Sequence, residues 1–394
     1  MRKVRNYIFL KDVAILSVTA FGGPQAHLAM FLDVLVNKHN YLKETELIEL
    51  NALCQILPGP TSTQTLTAIG YKMGGAKLAY LTLLIWILPA VSAMIFAGML
   101  FNFMAEAGMD FRFTRFIQPM AVGIVSYAAY AITIKVVNTK TGFVLLVCSA
   151  LLSFYLNSPF AFPVILLISG FVTAGKYKQQ PIEVKSKLKI DWRNFFLWAG
   201  VFLLAIIVGL STRNNPLLLP FRLFENFYRN GSMIFGGGQI LIPLLYTEFV
   251  EFKHYLTGPE FLSGYSLVQA LPGPVFSFSS YVGSVSMRHA GLSGELIGGL
   301  VSSFGIFLPG TFLIFFVIRF WDSLKKYRWV RASLEGITAA SSGMVIAAAI
   351  LLFRALPGGW EYIAITIGTF FILAFTKIPT PFLILIGLIA GIIF

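Results

Sequence analysis

The sequence predicts an all-α, polytopic membrane protein built from two inverted homologous halves with broken helices. Its composition is the first reason: 57% of the 394 residues are hydrophobic, 12% are charged, and the mean hydropathy is +0.79. This apolar content exceeds what the core of a water-soluble protein needs. Uncharged runs close to the ~20 residues that cross ~30 Å of hydrocarbon recur along the whole chain. The second reason is an internal repeat.

The repeat is carried by two short motifs. "FGGPQ" at 21–25 returns as "FGGGQ" at 235–239, and "QILPGP" at 55–60 returns as "QALPGP" at 269–274, each 214 positions later. Further on, "LP" at 88–89 returns at 308–309 after a short insertion. Such internal similarity is typical of transporters built from two copies of one unit. We therefore predict three regions: a first transmembrane repeat at 1–175, a basic cytoplasmic linker plus a connecting helix at 176–213, and a second, inverted repeat at 214–394.

The apolar runs predict about 13 helical segments, by length and hydropathy. Seven segments separate the starts of the two repeats, so the halves insert with opposite orientation. The predicted segments are 8–35, 45–70, 76–104, 115–135, 141–156 and 159–175, then 194–212, then 221–247, 259–287, 291–319, 332–353, 360–376 and 379–394.

Charge predicts the orientation. With a cytoplasmic N-terminus, most of the 30 Lys and Arg residues fall in cytoplasmic loops, as the positive-inside rule requires. The net charge of +13 is therefore explained by topology, and no nucleic-acid partner is expected. A second topology, in which 45–70 and 259–287 enter and leave on one side, stays open. The charge distribution favours full crossing, because a hairpin at 45–70 would place the basic linker at 176–193 on the outer side of the membrane.

The motif residues break helices inside apolar runs. Backbone that leaves the helix within a membrane is tolerated only where it is buried in protein or lines a wet cavity. Inverted repeats with interrupted helices bring such breaks together near the bilayer midplane, where transporters bind substrate. Close helix packing is the simpler alternative for one Gly-Pro motif. The recurrence of both breaks at one interval favours a binding site.

The break at 57–60 predicts an anion site. A helix that restarts after Pro60 presents the free N–H groups of Thr61, Ser62 and Thr63 and the positive end of its dipole. Their hydroxyls and that of Thr65 add donors. Glycines allow close approach to the backbone and glutamines offer neutral amide donors; these are Gly22, Gly23, Gly236, Gly237 and Gly238, with Gln25, Gln55, Gln64, Gln239 and Gln269. Glu46 and Glu260 stand at predicted helix starts, where a capping role is favoured over a coupling role.

With "FGGPQAH" at 21–27 and "QILPGPTSTQ" at 55–64, the sequence resembles the chromate ion transporter superfamily in its long, two-domain form. The residues that match the first-domain pattern are Phe21, Gly22, Gly23, Pro24, His27, Gln55, Pro58, Gly59, Pro60 and Gln64. The second copy departs from it, since Gly238 replaces Pro24, Leu241 replaces His27 and Phe278 replaces Gln64. Its candidate site residues are Gly236, Gly237, Gly238, Gln239, Gln269, Pro272, Gly273, Pro274 and Ser277. We therefore expect the two halves to bind asymmetrically.

The resemblance implies export of chromate across a prokaryotic inner membrane and hence chromate resistance. The breaks favour a secondary transporter that holds a tetrahedral oxyanion at helix N-termini. Sulfate transport or exchange and an anion channel remain alternatives, and the oligomeric state is open. An intramembrane enzyme is disfavoured, because the sequence lacks HExxH, a Walker A loop and a GxSxG with a partner histidine. No cofactor and no metal are predicted.

Overall fold

A computed structural model describes residues 2–108, 112–156, 158, 161–176, 178, 192–212, 215–235, 238, 240–320 and 327–393. These residues form helices joined by turns, with no strand among them. The all-α prediction is confirmed. The helices of the first half are α1 (Arg2–Thr19), α2 (Gly23–Phe31), α3 (Glu44–Ile56), α4 (Thr61–Glu106), α5 (Ile117–Val136), α6 (Lys140–Leu156) and α7 (Ala161–Ala174).

The connecting helix is α8 (Arg193–Ser211). The helices of the second half are α9 (Leu219–Met233), α10 (Leu241–Tyr246), α11 (Gly258–Ala270), α12 (Phe278–Ser286), α13 (Gly291–Val317), α14 (Arg328–Arg354), α15 (Trp360–Phe375) and α16 (Thr380–Ile393). By length and composition, the apolar helices that could each cross a membrane lie within 61–106, 117–134, 193–211, 288–317 and 328–354.

Local backbone features recur in both halves. Short π-helices extend α2 over Leu32–Lys38 and α10 over Thr247–Phe252. Asn40 and His254, which stand 214 positions apart, are the non-glycine residues with positive φ in the described chain, at 48° and 54°. Because a non-glycine residue seldom adopts this conformation, the coincidence supports two copies of one fold.

The chain divides into two compact units, and each draws on both sequence halves. Unit 1 comprises 1–110, 192–238 and 267–318; unit 2 comprises 111–191, 239–266 and 319–394. In unit 2, α14 packs against α5, α6 and α7. Small residues allow this close packing: the Gly336 N–H donates to Thr173 Oγ1 (3.0 Å), and Ser149 Oγ donates to the Ala340 carbonyl (2.9 Å).

In unit 1 the first predicted segment, 8–35, folds back on itself. It breaks after α1, and the end of the α2 extension returns to the start of α1. There Tyr41 Oη donates to Asp12 Oδ2 (2.6 Å), and the Arg5 guanidinium reaches the carbonyls of Asn40 and Tyr41 (both 3.4 Å). The break predicted at "FGGP" is present, but the chain reverses there, so counting 8–35 as one crossing segment is wrong. α1 and α2 form a helical hairpin with "FGGP" at its tip.

The segment predicted at 45–70 is a second hairpin. Glu46 at the start of α3 lies 3.7 Å from Lys72 Nζ, which a straight helix would place about 39 Å away at 1.5 Å per residue. The tip is the "PGP" break between α3 and α4. Full crossing, the topology favoured from charge, is wrong for this segment. The Lys43 N–H donates to the Glu46 carboxylate (3.0 Å) and holds its pKa below the usual range, so Glu46 caps α3 as predicted.

α4 also reverses direction, at Gly75, where φ is 77° and ψ is −167°. Its first arm, 61–74, runs back beside its long arm, 76–106. Trp86 Nε1 on the long arm therefore donates to Thr63 Oγ1 on the first arm (3.1 Å). Gly291 begins α13 with nearly the same backbone angles, 68° and −172°. Positive φ without steric strain is what glycine supplies at both places.

The two hairpins make a labelling prediction. Lys43 lies between them and Lys77 begins the long arm of α4, so both are expected on one side of the membrane. Full crossing at 8–35 and 45–70 would put them on opposite sides. In a background with Cys148→Ser, Lys43→Cys and the control Lys77→Cys should both react with an impermeant maleimide from the same side. Reaction from opposite sides would overturn the hairpin topology.

Candidate functional site

The tips of the hairpins are joined by reciprocal hydrogen bonds across the repeat. The Gly59 N–H of the first half donates to the Ile234 carbonyl of the second (2.7 Å), directly before "FGGGQ". The Gly273 N–H of the second half donates to the Ala20 carbonyl of the first (2.8 Å), directly before "FGGP". Each "PGP" break is therefore tied to the "FGG" break of the other half. The pairing satisfies backbone groups that the broken helices leave without internal partners.

Glycine is required at these contacts. Gly59 has a φ of 116°, and a Cβ there would lie 3.0 Å from Gln64 Nε2 and 3.3 Å from the Gly310 Cα. Gly273 has a φ of 102°, and its Cβ would lie 3.0 Å from the Ala90 Cβ. Gly310 and Ala90 each follow the repeated "LP" of the opposite half. The three repeated motifs thus meet at one place within unit 1.

The "FGGP" tip carries its own positive φ angles, 91° at Gly22 and 78° at Gly23. Pro24 stands in the first turn of α2, where its missing N–H is no loss. Phe21 is 39% exposed. Gln25 lies in α2, and its side chain is outside the described part of the molecule. The tip therefore supplies backbone conformation, while the next turn of α2 supplies the side chain that reaches the neighbouring break.

That side chain is His27, which is 1% exposed and braces the two tips. Its Nε2 lies 3.2 Å from the Ala20 carbonyl, and its Nδ1 lies 3.0 Å from Ser62 Oγ. A carbonyl can only accept, so Nε2 carries the proton and Nδ1 accepts from the Ser62 hydroxyl. Both ring nitrogens are occupied within the protein. The structure thus gives His27 a bracing position, with no nitrogen left for a ligand.

The first turn of α4 is a buried helix N-terminus. Thr61, Ser62 and Thr63 are 4%, 5% and 1% exposed, and none of their N–H groups has a hydrogen-bond partner among the described residues. The first intrahelical bond here is from the Gln64 N–H to the Pro60 carbonyl (2.9 Å). Three converging donors at the positive end of a helix dipole suit an anion. This part of the predicted geometry is present.

The hydroxyls around this turn are mostly engaged. Ser62 is bonded to His27, and the Thr65 hydroxyl donates to the Thr61 carbonyl (2.9 Å). Thr63 Oγ1 accepts from Trp86 and keeps its own proton to donate. The Thr61 hydroxyl has no partner within the described chain. Thr61 and Thr63 are therefore the hydroxyl donors that remain for a ligand.

The predicted glutamine donors are arranged differently from the expectation. Gln64 Nε2 donates to the Pro58 carbonyl (2.7 Å), which holds the break together, and its buried Oε1 has no partner. Because the Gln64 amide nitrogen is already bonded to the Pro58 carbonyl, the atom left for a ligand is the amide oxygen, which accepts hydrogen bonds and cannot donate one to an anion. Gln55 is exposed on α3, and Gln269 is half-buried near the end of α11. Gln239 lies outside the described residues.

The second copy has a less polar helix start. After Pro272, Gly273 and Pro274, one 3-10 turn (Val275–Ser277) precedes α12, and the Ser277 hydroxyl donates back to the Pro274 carbonyl (2.8 Å). Phe276 and Phe278 are buried where the first copy has Ser62 and Gln64, and a Cβ on Gly238 would lie 3.7 Å from the Phe276 ring. Gly236 and Gly237 lie outside the described residues. Among the described residues, the helix start after the second "PGP" break is therefore less polar than the helix start after the first.

Both halves of the chain match one protein family. The sequence profile of the family described as Chromate transporter covers residues 9–174 and 221–392, which is most of each half. The chain belongs to this family. It is 24% identical over 384 residues to an uncharacterized transporter of Methanocaldococcus jannaschii, covering 95% of this chain and 91% of the relative.

Two further relatives carry a functional name. A chromate transport protein of Cupriavidus metallidurans is 25% identical over 386 residues, covering 95% of this chain and 90% of the relative. A chromate transport protein of Pseudomonas aeruginosa is 24% identical over 345 residues, covering 84% and 77%. No solved structure matches this chain.

Sequence reasoning missed Trp86. A tryptophan inside an apolar run resembles a lipid-facing residue, and no motif marks it. In the structure Trp86 is fully buried, its ring meets the His27 ring edge-on at 5.3 Å, and its N–H orients Thr63. Only the reversal of α4 at Gly75 brings it to the break.

Gly59→Ala tests the contact between the breaks. The added methyl group enters a left-handed backbone conformation and crowds Gly310, so we expect a loss of about 1–3 kcal/mol in stability. Thermal unfolding in detergent measures it. Gly368→Ala is the matched control, because no atom lies within 4 Å of its Cβ position. Equal midpoints for the two variants would contradict a tight junction at Gly59.

Proposed function

We propose that the protein is a secondary transporter that exports chromate from the cytoplasm. The proposal rests on one observation, the buried first turn of α4, where three N–H groups and the hydroxyls of Thr61 and Thr63 converge without a charged side chain bonded to any of them. Neutral donors complement the oxygens of a tetrahedral dianion and still allow its release, since hydrogen bonds to a charged group contribute only about 1.5–3 kcal/mol each. Membership of the chromate transporter family supports the choice of substrate.

Transport by alternating access is supported by burial of the site. Thr61, Ser62 and Thr63 are at most 5% exposed, so an ion reaches them only in a different conformation. A hairpin tip held to the other half by single hydrogen bonds can change partners as the halves move. An open channel would instead keep this turn wet. The described conformation therefore favours a carrier.

The hairpins also support a cytoplasmic N-terminus. A single hairpin in the first half would have placed the basic linker on the side opposite to the N-terminus. Two hairpins leave the chain on its starting side, the long arm of α4 and α5 supply two passages, and the shorter apolar helices α6 and α7 together supply two more or none, so the chain reaches the linker on the side where it began. The basic clusters at 2–11 and 176–193 then share one side of the membrane.

Membrane potential supplies a driving force for export. Each elementary charge that crosses 100 mV changes in free energy by ~2.3 kcal/mol. A dianion therefore gains ~4.6 kcal/mol on leaving a cell whose interior is negative. Export of chromate along this potential would confer chromate resistance.

Flux into inverted membrane vesicles tests the function. Under an imposed potential, vesicles with the protein should take up labelled chromate, and vesicles without it should not. Unlabelled sulfate, molybdate and phosphate are added as competitors. Uptake of sulfate without uptake of chromate would overturn the chromate assignment, and a turnover above roughly 10⁶ ions per second, far beyond the μs–ms motions that gate a carrier, would indicate a channel.

Thr61→Val tests the site. Valine keeps the shape of threonine but removes the one uncommitted hydroxyl beside the free N–H groups, so we expect chromate KM to rise about tenfold. Thr82→Val is the control on the same helix, because the Thr82 hydroxyl donates to the Leu78 carbonyl (2.8 Å), away from the break. An unchanged KM in Thr61→Val would remove this turn from the binding site.

A further inference from the structure

A second buried polar cluster lies in unit 1, away from the helix break. It occupies the interface of the long arm of α4 with α12 and α13, where glycines let the helices approach closely. A Cβ on Gly98 would lie 2.9 Å from Ser284 Oγ, and a Cβ on Gly299 would lie 3.0 Å from the Ser280 carbonyl. In the sequence, the visible signal of this cluster is an acid within the apolar run "GLSGELIGG".

That acid is Glu295, on the second turn of α13. It is 4% exposed, and its Oε2 has no hydrogen-bond partner. Asn102 of α4 is also 4% exposed, and its side chain acts on the carboxyl as a hydrogen-bond partner. Buried polar groups are nearly always satisfied in native proteins, so the second carboxylate oxygen, which has no partner in the described chain, is the atom that a proton would occupy. An ionisable side chain inside a membrane helix is itself a functional indicator.

The charged groups that act on this carboxyl are few. They are Glu106 at the end of α4 and Arg288 in the turn before α13. On α12, the titratable side chain is Tyr281, which packs against Phe101 and Phe278. The charged residues of α9, namely Arg222, Glu225 and Arg229, belong to a helix whose close contacts with α13 lie at Gly305 and Ile306, about 15 Å further along.

Buried serines lie further along α12 and α13, between the level of Glu295 and the second "PGP" break. Ser284 and Ser302 are fully buried and their hydroxyls lack partners, while Ser280 and Ser303 are hydrogen-bonded to each other (2.5 Å). α12 begins directly after the 3-10 turn that follows Pro274. The polar cluster therefore runs from the Glu295 carboxyl toward the second "PGP" break.

We propose that Glu295 binds and releases a proton in each transport cycle and so couples oxyanion export to proton movement. This inference rests on the proposed transport function. Protonation forms the O–H bond at the carboxyl from a proton of the aqueous phase and removes a negative charge from the interface. Release breaks that bond and returns the charge. Nothing other than the proton is gained or lost.

The surroundings suit both protonation states. The Asn102 amide can donate to the carboxylate through its nitrogen or accept from the neutral acid through its oxygen, and Arg288 is the cationic group that acts on this carboxyl. Gly283 of α12 and Gly298 of α13 meet with no room for a side chain, so we expect a change of charge at Glu295, about one turn before Gly298, to act on this contact. α12 carries the change to the "PGP" break, whose Gly273 N–H is bonded to the "FGGP" tip.

Proteoliposomes containing the full chain test the coupling with two readouts, labelled chromate flux and internal pH from a trapped dye. Wild-type protein should move protons opposite to chromate, and an imposed pH gradient should raise chromate flux several-fold. Glu295→Gln should keep potential-driven flux but lose proton movement and the response to the pH gradient. Glu295→Asp should restore both in part. Glu44→Gln removes an exposed acid at the start of α3, outside this cluster, and should behave as wild type.

The outcomes separate this inference from the proposed function. Chromate flux without proton movement in the wild type, or proton movement unchanged in Glu295→Gln, would overturn the coupling site and leave the transporter intact. Absence of chromate and sulfate flux in the wild type would overturn the transporter itself. Infrared titration of the carboxyl band is independent of transport: a band that titrates in wild-type protein should be missing in Glu295→Gln, and its persistence would also reject Glu295.

Discussion

The arrangement of unit 1 depends on one constraint, the need to satisfy backbone groups where helices break inside an apolar environment. Each half breaks twice, and neither half can supply all the partners. The bonds from Gly59 to Ile234 and from Gly273 to Ala20 solve this reciprocally, so the two copies must interlock. The glycines at the breaks, the small residues that follow the "LP" motifs and the left-handed angles at Gly22 and Gly23 all serve that contact.

The two halves differ in the side chains that surround their hydrogen-bonded hairpin tips. Once the tips are fixed, the side chains next to them decide what each break can do. In the first half, His27, Trp86 and Gln64 hold the turn in place by bonding hydroxyls and a carbonyl, which leaves the N–H groups of Thr61, Ser62 and Thr63 free. In the second half, phenylalanines fill the equivalent space. The residues that support this turn are therefore different from the N–H groups that we propose bind the anion.

The proposed role of Glu295 would extend this difference between the halves to coupling. The acid stands in only one copy, within a helix pair that begins at the second break, so the copy with the less polar helix start carries the ionisable group. In this scheme one half supplies the anion site and the other supplies a charge that can be switched. Their link is the reciprocal hydrogen bonding at the tips.

The sequence by itself determined the all-α class, the repeat, the positions of the four breaks and the family, because composition and recurring Gly-Pro motifs are local properties of the chain. It also indicated the N-terminus at Thr61 and the caps at Glu46 and Glu260, where the Thr257 N–H donates to the Glu260 carboxylate (2.8 Å). Only the tertiary structure decided that 8–35 and 45–70 are hairpins, since hydropathy measures length and not direction. It likewise decided that His27 and Gln64 brace the break and that Trp86 packs against His27 and bonds Thr63, because contacts such as those of His27 and Trp86 join residues that are distant in the sequence and meet only when the helices fold back.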